Sequence, residues 1–554
     1  MIKRSAWIIA LVASLAFDAS RAHAVTAGTL PATAGAADPA SAADRCRALL
    51  QSDYTALEDA PTQITAAELI EAGGGNPAVC RVRGYVAPQV SFELRLPAVG
   101  WNGRFMEVGD GGWGGHMFLF LCDGPVRRGY ACLASDMGHQ ATSSQALWAR
   151  GNWQAQADFG YRATHVAAVA GKAIVRSFYA KPALRSVMFG CSTGGYQGMV
   201  EAQRFPWDFD GIIALSPDAE DEADLGMRVI WHMRNFLDEN GAPVFDAAEL
   251  GLLHTAALER CDLTDGVKDG IIGDPLACRF DPSVLACRAG QSSRCLTPRQ
   301  VAAARNIYAG PMTSAGVRIS SGGMLPGSEL GWGAHAGAWA TELFKYALFS
   351  PTPGGGWKPS DFDFDEDYKR LGLGALYTDG NPDLRKLKAA GGKLLVIQGG
   401  NDTQETPGAI VDYYQTVEKT MGGRAATRDF FRLFMIPGMN HCTGGDGAFA
   451  VDYLRYLENW MERGKAPDEM VGAHVESSYL LGLAAGHAGS DADRIWWGAF
   501  ALLDFPLDRA VPVSFTRPIY PYPEMAIYKG SGNANDASNF SSFDPTAAMR
   551  RARR

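Results

Sequence analysis

The chain has 554 residues, 47% of them hydrophobic and 20% charged, with a formal net charge of −9. That balance describes a globular protein with a large core, not a disordered chain. Its acidity argues against nucleic acid or anionic lipid as a partner, and beyond the N-terminus no apolar run is long enough to span a bilayer.

At the N-terminus Lys3 and Arg4 precede the apolar stretch Ala6 to Phe17, and Ala22-His23-Ala24 supplies a small-x-small cleavage site. This is the layout of a secretory signal peptide over 1–24, so the protein is expected to be secreted, periplasmic or extracellular, with no membrane anchor. The segment carries Lys3, Arg4 and Arg21 against Asp18, so its removal leaves the rest two charges more acidic. In an oxidising compartment the ten cysteines read as disulfides. Their spacings make no pair of zinc knuckles.

Residues 25–45 are rich in Ala, Thr and Gly and form a leader. Short β-like runs follow: Val82 to Val86, Ser91 to Leu96 with period-two alternation, Phe105 to Val108, and Tyr130 to Ala134. A helical pattern from Tyr161 to Phe178 leads into the strand Ser186 to Phe189. Strands alternating with helices predict an α/β fold with a mostly parallel sheet covered on both faces. From about 216 to 385 the pattern breaks into Cys-bearing, Asp-rich and Gly/Pro-rich stretches, and the alternation resumes at Lys393 to Ile397. The simplest organisation is one core in two parts, 25–215 and 386–554, interrupted by an inserted lid domain over 216–385.

Gly190-Cys191-Ser192-Thr193-Gly194-Gly195 stands between an apolar strand and the helical pattern Tyr196 to Phe205. This is a G-x-S-x-G elbow in the context the motif demands. A serine on so sharp a turn needs neighbours without bulk two residues away on either side, which Gly190 and Gly194 provide. The turn also presents the Thr193 amide at a helix start, as one half of an oxyanion hole. The other half is expected from Asp110-Gly111-Gly112-Trp113, where Gly111 and Gly112 cannot be separated on sequence.

A serine hydroxyl needs a base, and the base needs a carboxylate to fix its tautomer, in the chain order Ser, acid, His. After Ser192 the strand Lys393 to Gln398 ends in Gly399-Gly400-Asn401-Asp402, and the strand Phe430 to Ile436 ends in Pro437-Gly438-Met439-Asn440-His441-Cys442. His165 and His254 lie in helical patterns, His139 precedes the serine, and no apolar strand runs directly into His474 or His487. His441 is therefore the expected base. Cys191 precedes the serine and Cys442 follows the histidine, so a meeting of Ser192 with His441 would let those sulfurs bond and staple the site.

With these marks the chain resembles the tannase and feruloyl esterase family from about Cys46 to Phe540. The resemblance rests on Gly190 to Gly195 with Glu201 to Pro206, on Cys261 to Ile272, Cys295 to Pro298, Asn381 to Leu384, Pro437 to Cys442, and Tyr528 to Gly532. It implies an α/β-hydrolase fold with a triad of Ser192, Asp402 and His441 stapled by Cys191 and Cys442, and the choice of Asp402 rests partly on it. It further implies a structural Ca²⁺ in the loop Cys261 to Ile271, held by the side chains of Asp262, Asp265 and Asp269 and the carbonyls of Val267 and Ile271. Hard oxygen ligands on a turn-rich loop suit that ion, although the spacing is not that of an EF-hand.

Cys261 with Cys278, Cys287 with Cys295, and Cys46 with Cys80 are the remaining expected pairs, while Cys122 and Cys132 are left over with no argument for bonding. Relatives carry a cysteine pair roughly where Tyr520 and Ser541 or Ser542 stand here. The segment Leu215 to Asp221 is more acidic than usual and borders the expected acyl pocket.

The expected function is that of a serine esterase acting through an acyl-enzyme on small esters of aromatic (phenolic) acids. The alternatives are hydrolysis of another aromatic monoester of the terephthalate type, or a catalytically retired binding protein. The lid's Trp332, Trp339, Phe344, Tyr346, Phe349 and Trp357 offer surface for a flat acyl group, although any one of them reads more readily as lid core.

Overall fold

The computed structural model describes residues 41–219, 222–335, 339–371, 376–487, 490–503 and 511–546. The signal segment 1–24, Glu220, Asp221 and the side chain of Trp339 lie outside the described residues.

Nine strands form one sheet: β1 (Thr62–Ile70), β2 (Val79–Val86), β3 (Val90–Pro97), β4 (Arg104–Val108), β5 (Ala131–Ser135), β6 (Arg185–Cys191), β7 (Gly211–Leu215), β8 (Lys393–Gly399) and β9 (Phe431–Ile436). Their spatial order is β1-β2-β3-β5-β4-β6-β7-β8-β9. The first three strands and the β3–β5 pair are antiparallel, and from β5 to β9 every pairing is parallel. Parallel strands with helices on both faces are buried throughout, which is why β7 and β8 read as unbroken apolar runs. Their residues divide between two cores: Ile212, Ala214, Leu394 and Val396 pack on one face, Ile213, Leu215, Leu395 and Ile397 on the other.

The strands expected from sequence lie within β2 to β6, β8 and β9, apart from end residues. β1 and β7 are not among the strands expected from sequence: β1 has only an irregular burial alternation, and the apolar run of β7 carries no alternation at all.

Between β7 and β8 the chain leaves the sheet. It forms the helices Glu222–Phe236, Ala247–Cys261 and Pro298–Ala309. Two of these begin with capping boxes, Asp246 with Glu249 and Thr297 with Gln300, each satisfying amides the first helical turn leaves open. This region buries a cluster of its own around Phe236, Phe245, Leu253, Leu296, Ile307 and Trp332.

All ten cysteines are paired: Cys46–Cys80, Cys122–Cys132, Cys191–Cys442, Cys261–Cys278 and Cys287–Cys295. Disulfides form and persist mainly in oxidising compartments. The Cys122–Cys132 bond, for which sequence gave no argument, joins the segment before β5 to β5 itself. Among the described residues no helix is long and apolar enough to cross a membrane.

Candidate active site

Open α/β sheets gather their chemistry on the loops beyond the carboxyl ends of the strands. The loops following β4, β6, β7, β8 and β9 meet there around one cleft of about 360 Å³, lined by Gly111, Gly112, Ser192, Thr193, Asp218 and His441 among others.

Ser192 sits between the last residue of β6 and the helix Thr193–Arg204, with φ 60° and ψ −125°. A side chain seldom adopts this backbone, and such strain marks residues held for a purpose. The turn closes only because Gly190 has no Cβ, which would stand 2.4 Å from the Gly194 carbonyl. The Ser192 amide donates to the Leu215 carbonyl at the end of β7 (2.9 Å), fixing the turn to the neighbouring strand.

His441, after β9, places Nδ1 3.0 Å from Oδ2 and 3.2 Å from Oδ1 of Asp402, after β8. The carboxylate is held in turn: Oδ1 accepts from the amides of Gln404 and Glu405, and Oδ2 accepts from Gln398 Nε2. The His441 loop has three clamps. Cys442 is bonded to Cys191 with a Cα–Cα separation of 5.8 Å, within the ordinary range. Its amide donates to Ser216 Oγ, and Trp496 Nε1 donates to the His441 carbonyl. The sulfurs of Cys191 and Cys442 lie within 4.8 Å of the His441 ring, but bonded to each other they offer a metal no thiolate. The Ser192 hydroxyl itself makes no hydrogen bond among the described residues, as is common before a substrate tightens the site.

Burial would push the Asp402 carboxyl up, but the charge of His441, its hydrogen bond, and the Ser216 hydroxyl outweigh it and hold the acid below its usual range. Burial would lower His441, and Asp402 with Glu405 more than reverses this, so the imidazole is more basic than a free one.

The structure separates the two glycines of the β4 loop. The Gly111 amide is taken by Asp110 Oδ1 at 2.8 Å. Among the described residues the amides of Gly112 and Thr193 donate to nothing, and Thr193 Oγ1 donates to the Gly112 carbonyl, tying the two loops together. Gly112 has φ +60°, and a Cβ there would stand 2.3 Å from the Ser143 carbonyl.

The lid aromatics take the core reading and not the pocket one. Of the lid aromatics, Trp332, Phe344, Phe349 and Trp357 are buried in cores, Tyr346 packs against one, and none of the five lines the cleft. The cleft's aromatic wall comes from Trp113, Phe118 and the helix Asp491–Phe500, which supplies Trp496, Trp497 and Phe500. The spacing of those three along one helix was the available signal. None of the five histidines set aside above lines the cleft: His139 bonds the Trp113 carbonyl and stacks on Trp148, His165 pairs with Asp208, His254 with Glu329, His474 bonds the Gly447 carbonyl, and His487 stacks on Trp497.

The Asp-rich loop is closed by Cys261–Cys278. Asp262 accepts from the amides of Asp269 and Gly270, Asp265 from Val267, and Asp269 from Ile271, while Asp269 Oδ2 pairs with Arg517 at 2.6 Å. Burial, then Asp269 and Asp262, pushes the Asp265 carboxyl up to about 7. Among the described residues the carbonyls of Val267 and Ile271 accept no hydrogen bond. The donor set is therefore all oxygen, partly buried and short of positive charge, which fits a hard cation. Each carboxylate is at present turned to an amide or to Arg517, and the three are spread wider than a coordination shell.

Comparison with known proteins places this geometry. The pattern of the family described as "Tannase and feruloyl esterase" matches residues 75–352 and 361–543. The chain is 32% identical to an uncharacterized esterase of Xanthomonas campestris pv. campestris, over 93% of this chain and 94% of that one. It is 31% identical to the mono(2-hydroxyethyl) terephthalate hydrolase of Piscinibacter sakaiensis, over 88% and 87%. The crystal structure of feruloyl esterase B from Aspergillus oryzae superposes with a TM-score of 0.78 at 26% identity, covering 91% of this chain and all of that one. With an α/β-hydrolase sheet, its elbow serine and its family pattern in one molecule, the chain is a carboxylic ester hydrolase and belongs to the tannase and feruloyl esterase family.

Proposed function

We propose that the protein is a secreted serine esterase that hydrolyses esters of aromatic acids, with Ser192 as nucleophile, His441 as base and Asp402 as its orienting acid. Ser192 Oγ attacks the ester carbonyl as His441 Nε2 takes its proton. The Gly112 and Thr193 amides receive the oxyanion, the alcohol leaves with the proton, and water repeats the sequence on the acyl-enzyme. The observation that carries this is the 3.0 Å hydrogen bond from His441 to Asp402, on a loop bonded through Cys442 to the residue beside Ser192. The aromatic wall of the cleft supports a flat acyl group. A serine-directed phosphonate should abolish hydrolysis of a p-nitrophenyl ester and be found on Ser192 by peptide mass spectrometry. Modification elsewhere, or inhibition without modification, rejects the assignment. Export rests on the signal-like N-terminus and the disulfides.

The base must be neutral to act, and its conjugate acid is held above the ordinary 6.5. Activity therefore rises with pH, and the acid limb of kcat/KM should have its midpoint above 6.5. A midpoint near 5 would show that Asp402 and Glu405 do not govern the imidazole.

Asp262, Asp265 and Asp269 with the carbonyls of Val267 and Ile271 would hold a structural Ca²⁺, which when bound neutralises the loop's carboxylates. At a calcium concentration a hundred times Kd, binding would add about 2.7 kcal/mol. EDTA should then lower Tm by about 2 to 3 °C, calcium should restore it, and Asp262→Asn should remove the response. Equal melting in EDTA and in calcium would reject the ion.

A further inference from the structure

The cleft has two unlike walls. Besides the aromatic one, Asp218, Gln404 and Glu405 line it. Asp218 follows β7 and Glu405 lies three residues after Asp402, so both ride on the loops that carry the reacting groups. Their partner is Arg228, on the helix Glu222–Phe236, whose side chain is 3% exposed. It donates to Asp218 Oδ1 at 2.7 Å, pairs with Asp224, and stands 3.5 Å from Glu405 Oε2. Three carboxylates thus share one guanidinium. Glu405 Oε2 is buried and accepts no hydrogen bond among the described residues, and the Glu405 side chain is 6% exposed. One guanidinium set against three carboxylates leaves this wall with an excess of negative charge.

We infer that Asp218 and Glu405 set the acyl specificity, accepting hydrogen bonds from ring hydroxyls of the aromatic acid and turning away acids that bear a second carboxylate. The inference rests on the reading of Ser192 as nucleophile in this cleft. A hydroxyl donating to a buried carboxylate gains a charge-assisted bond, while a terephthalate-type carboxylate meets like charge in a site of low dielectric. The choice between phenolic esters and terephthalate monoesters, open on sequence, then falls to the phenolic ones.

The test uses the purified enzyme with methyl 3,4-dihydroxybenzoate, methyl benzoate and monomethyl terephthalate. Burial pushes Glu405 up to about 7, against Arg228 and His441, so the assays run at pH 8.5, where it is ionised. Relative to methyl benzoate, kcat/KM should be about tenfold or more higher for the dihydroxy ester and on the order of 10²-fold lower for the terephthalate. Glu405→Gln should shrink both ratios by roughly tenfold. Using ratios removes any general effect on His441, and the wild-type ratios stand even if the variant fails to fold. Equal rates on all three esters, or ratios unchanged in a folded Glu405→Gln, overturn the inference alone. No hydrolysis of any of them overturns the nucleophile reading, and this inference with it.

Discussion

Ser192→Ala is expected to melt within about 1 kcal/mol of the parent and to lose on the order of 10⁴ to 10⁶ in kcat. The first half follows from what the hydroxyl does in the folded state. It makes no hydrogen bond among the described residues, so its removal orphans no partner. Alanine keeps the Cβ and therefore the same strain at φ 60°. Ser192→Gly is the informative companion: glycine suits a positive φ, and relief of strain should raise stability by about 1 kcal/mol while activity falls as far. The second half follows from the chemistry. With no oxygen at residue 192, only the two amides and the binding cleft remain, and the lost factor corresponds to about 5 to 8 kcal/mol of transition-state stabilisation. Kinetics on a p-nitrophenyl ester beside a thermal melt measure both. A folded Ser192→Ala protein within a hundredfold of the parent would mean that hydrolysis occurs elsewhere.

Much of this arrangement was legible in the sequence because steric demands are local. The elbow announces itself through Gly190 and Gly194, whose missing side chains the turn needs. Asp402 and His441 follow apolar runs that read as parallel strands, β8 and the edge strand β9, so the loops after them open on the same end of the sheet, and the choice of Asp402 rested partly on the family resemblance. Cys191 and Cys442 gave the one long-range clue, two sulfurs flanking two residues expected to meet. What stayed hidden depends on packing between distant segments. The helical spacing of Trp496, Trp497 and Phe500 hints at one shared face, but no local signal says that this face reaches the cleft from far downstream. Nor could sequence tell Gly111 from Gly112, since the difference is a carboxylate of Asp110 folding back on one amide. The tie between Asp218, Arg228 and Glu405 likewise joins three segments that share no pattern.

Asp402→Asn tests the orienting carboxylate, and its expected loss is on the order of 10⁴ in kcat with little loss of stability. Oδ1 accepts from the amides of Gln404 and Glu405, so the asparagine carbonyl must take that place. The amide nitrogen then stands where Oδ2 was, facing His441 Nδ1. A donor there forces Nδ1 to accept, the ring proton moves to Nε2, and Nε2 can no longer take the proton of Ser192. Gln398 feels the same change: its Nε2 now donates to Asp402 Oδ2 and to the Glu405 carbonyl, and it would meet a second donor. Its Oε1 has no partner, so the side chain can turn over, losing the bond to Glu405 and keeping the fold. The variant should also lower the midpoint of the acid limb, because the Asp402 charge and its hydrogen bond to His441 both raise the imidazole. Nitrogen NMR of His441 reads the tautomer directly. A ring still protonated at Nδ1, with kcat within tenfold of the parent, would show that some group other than Asp402 orients the base.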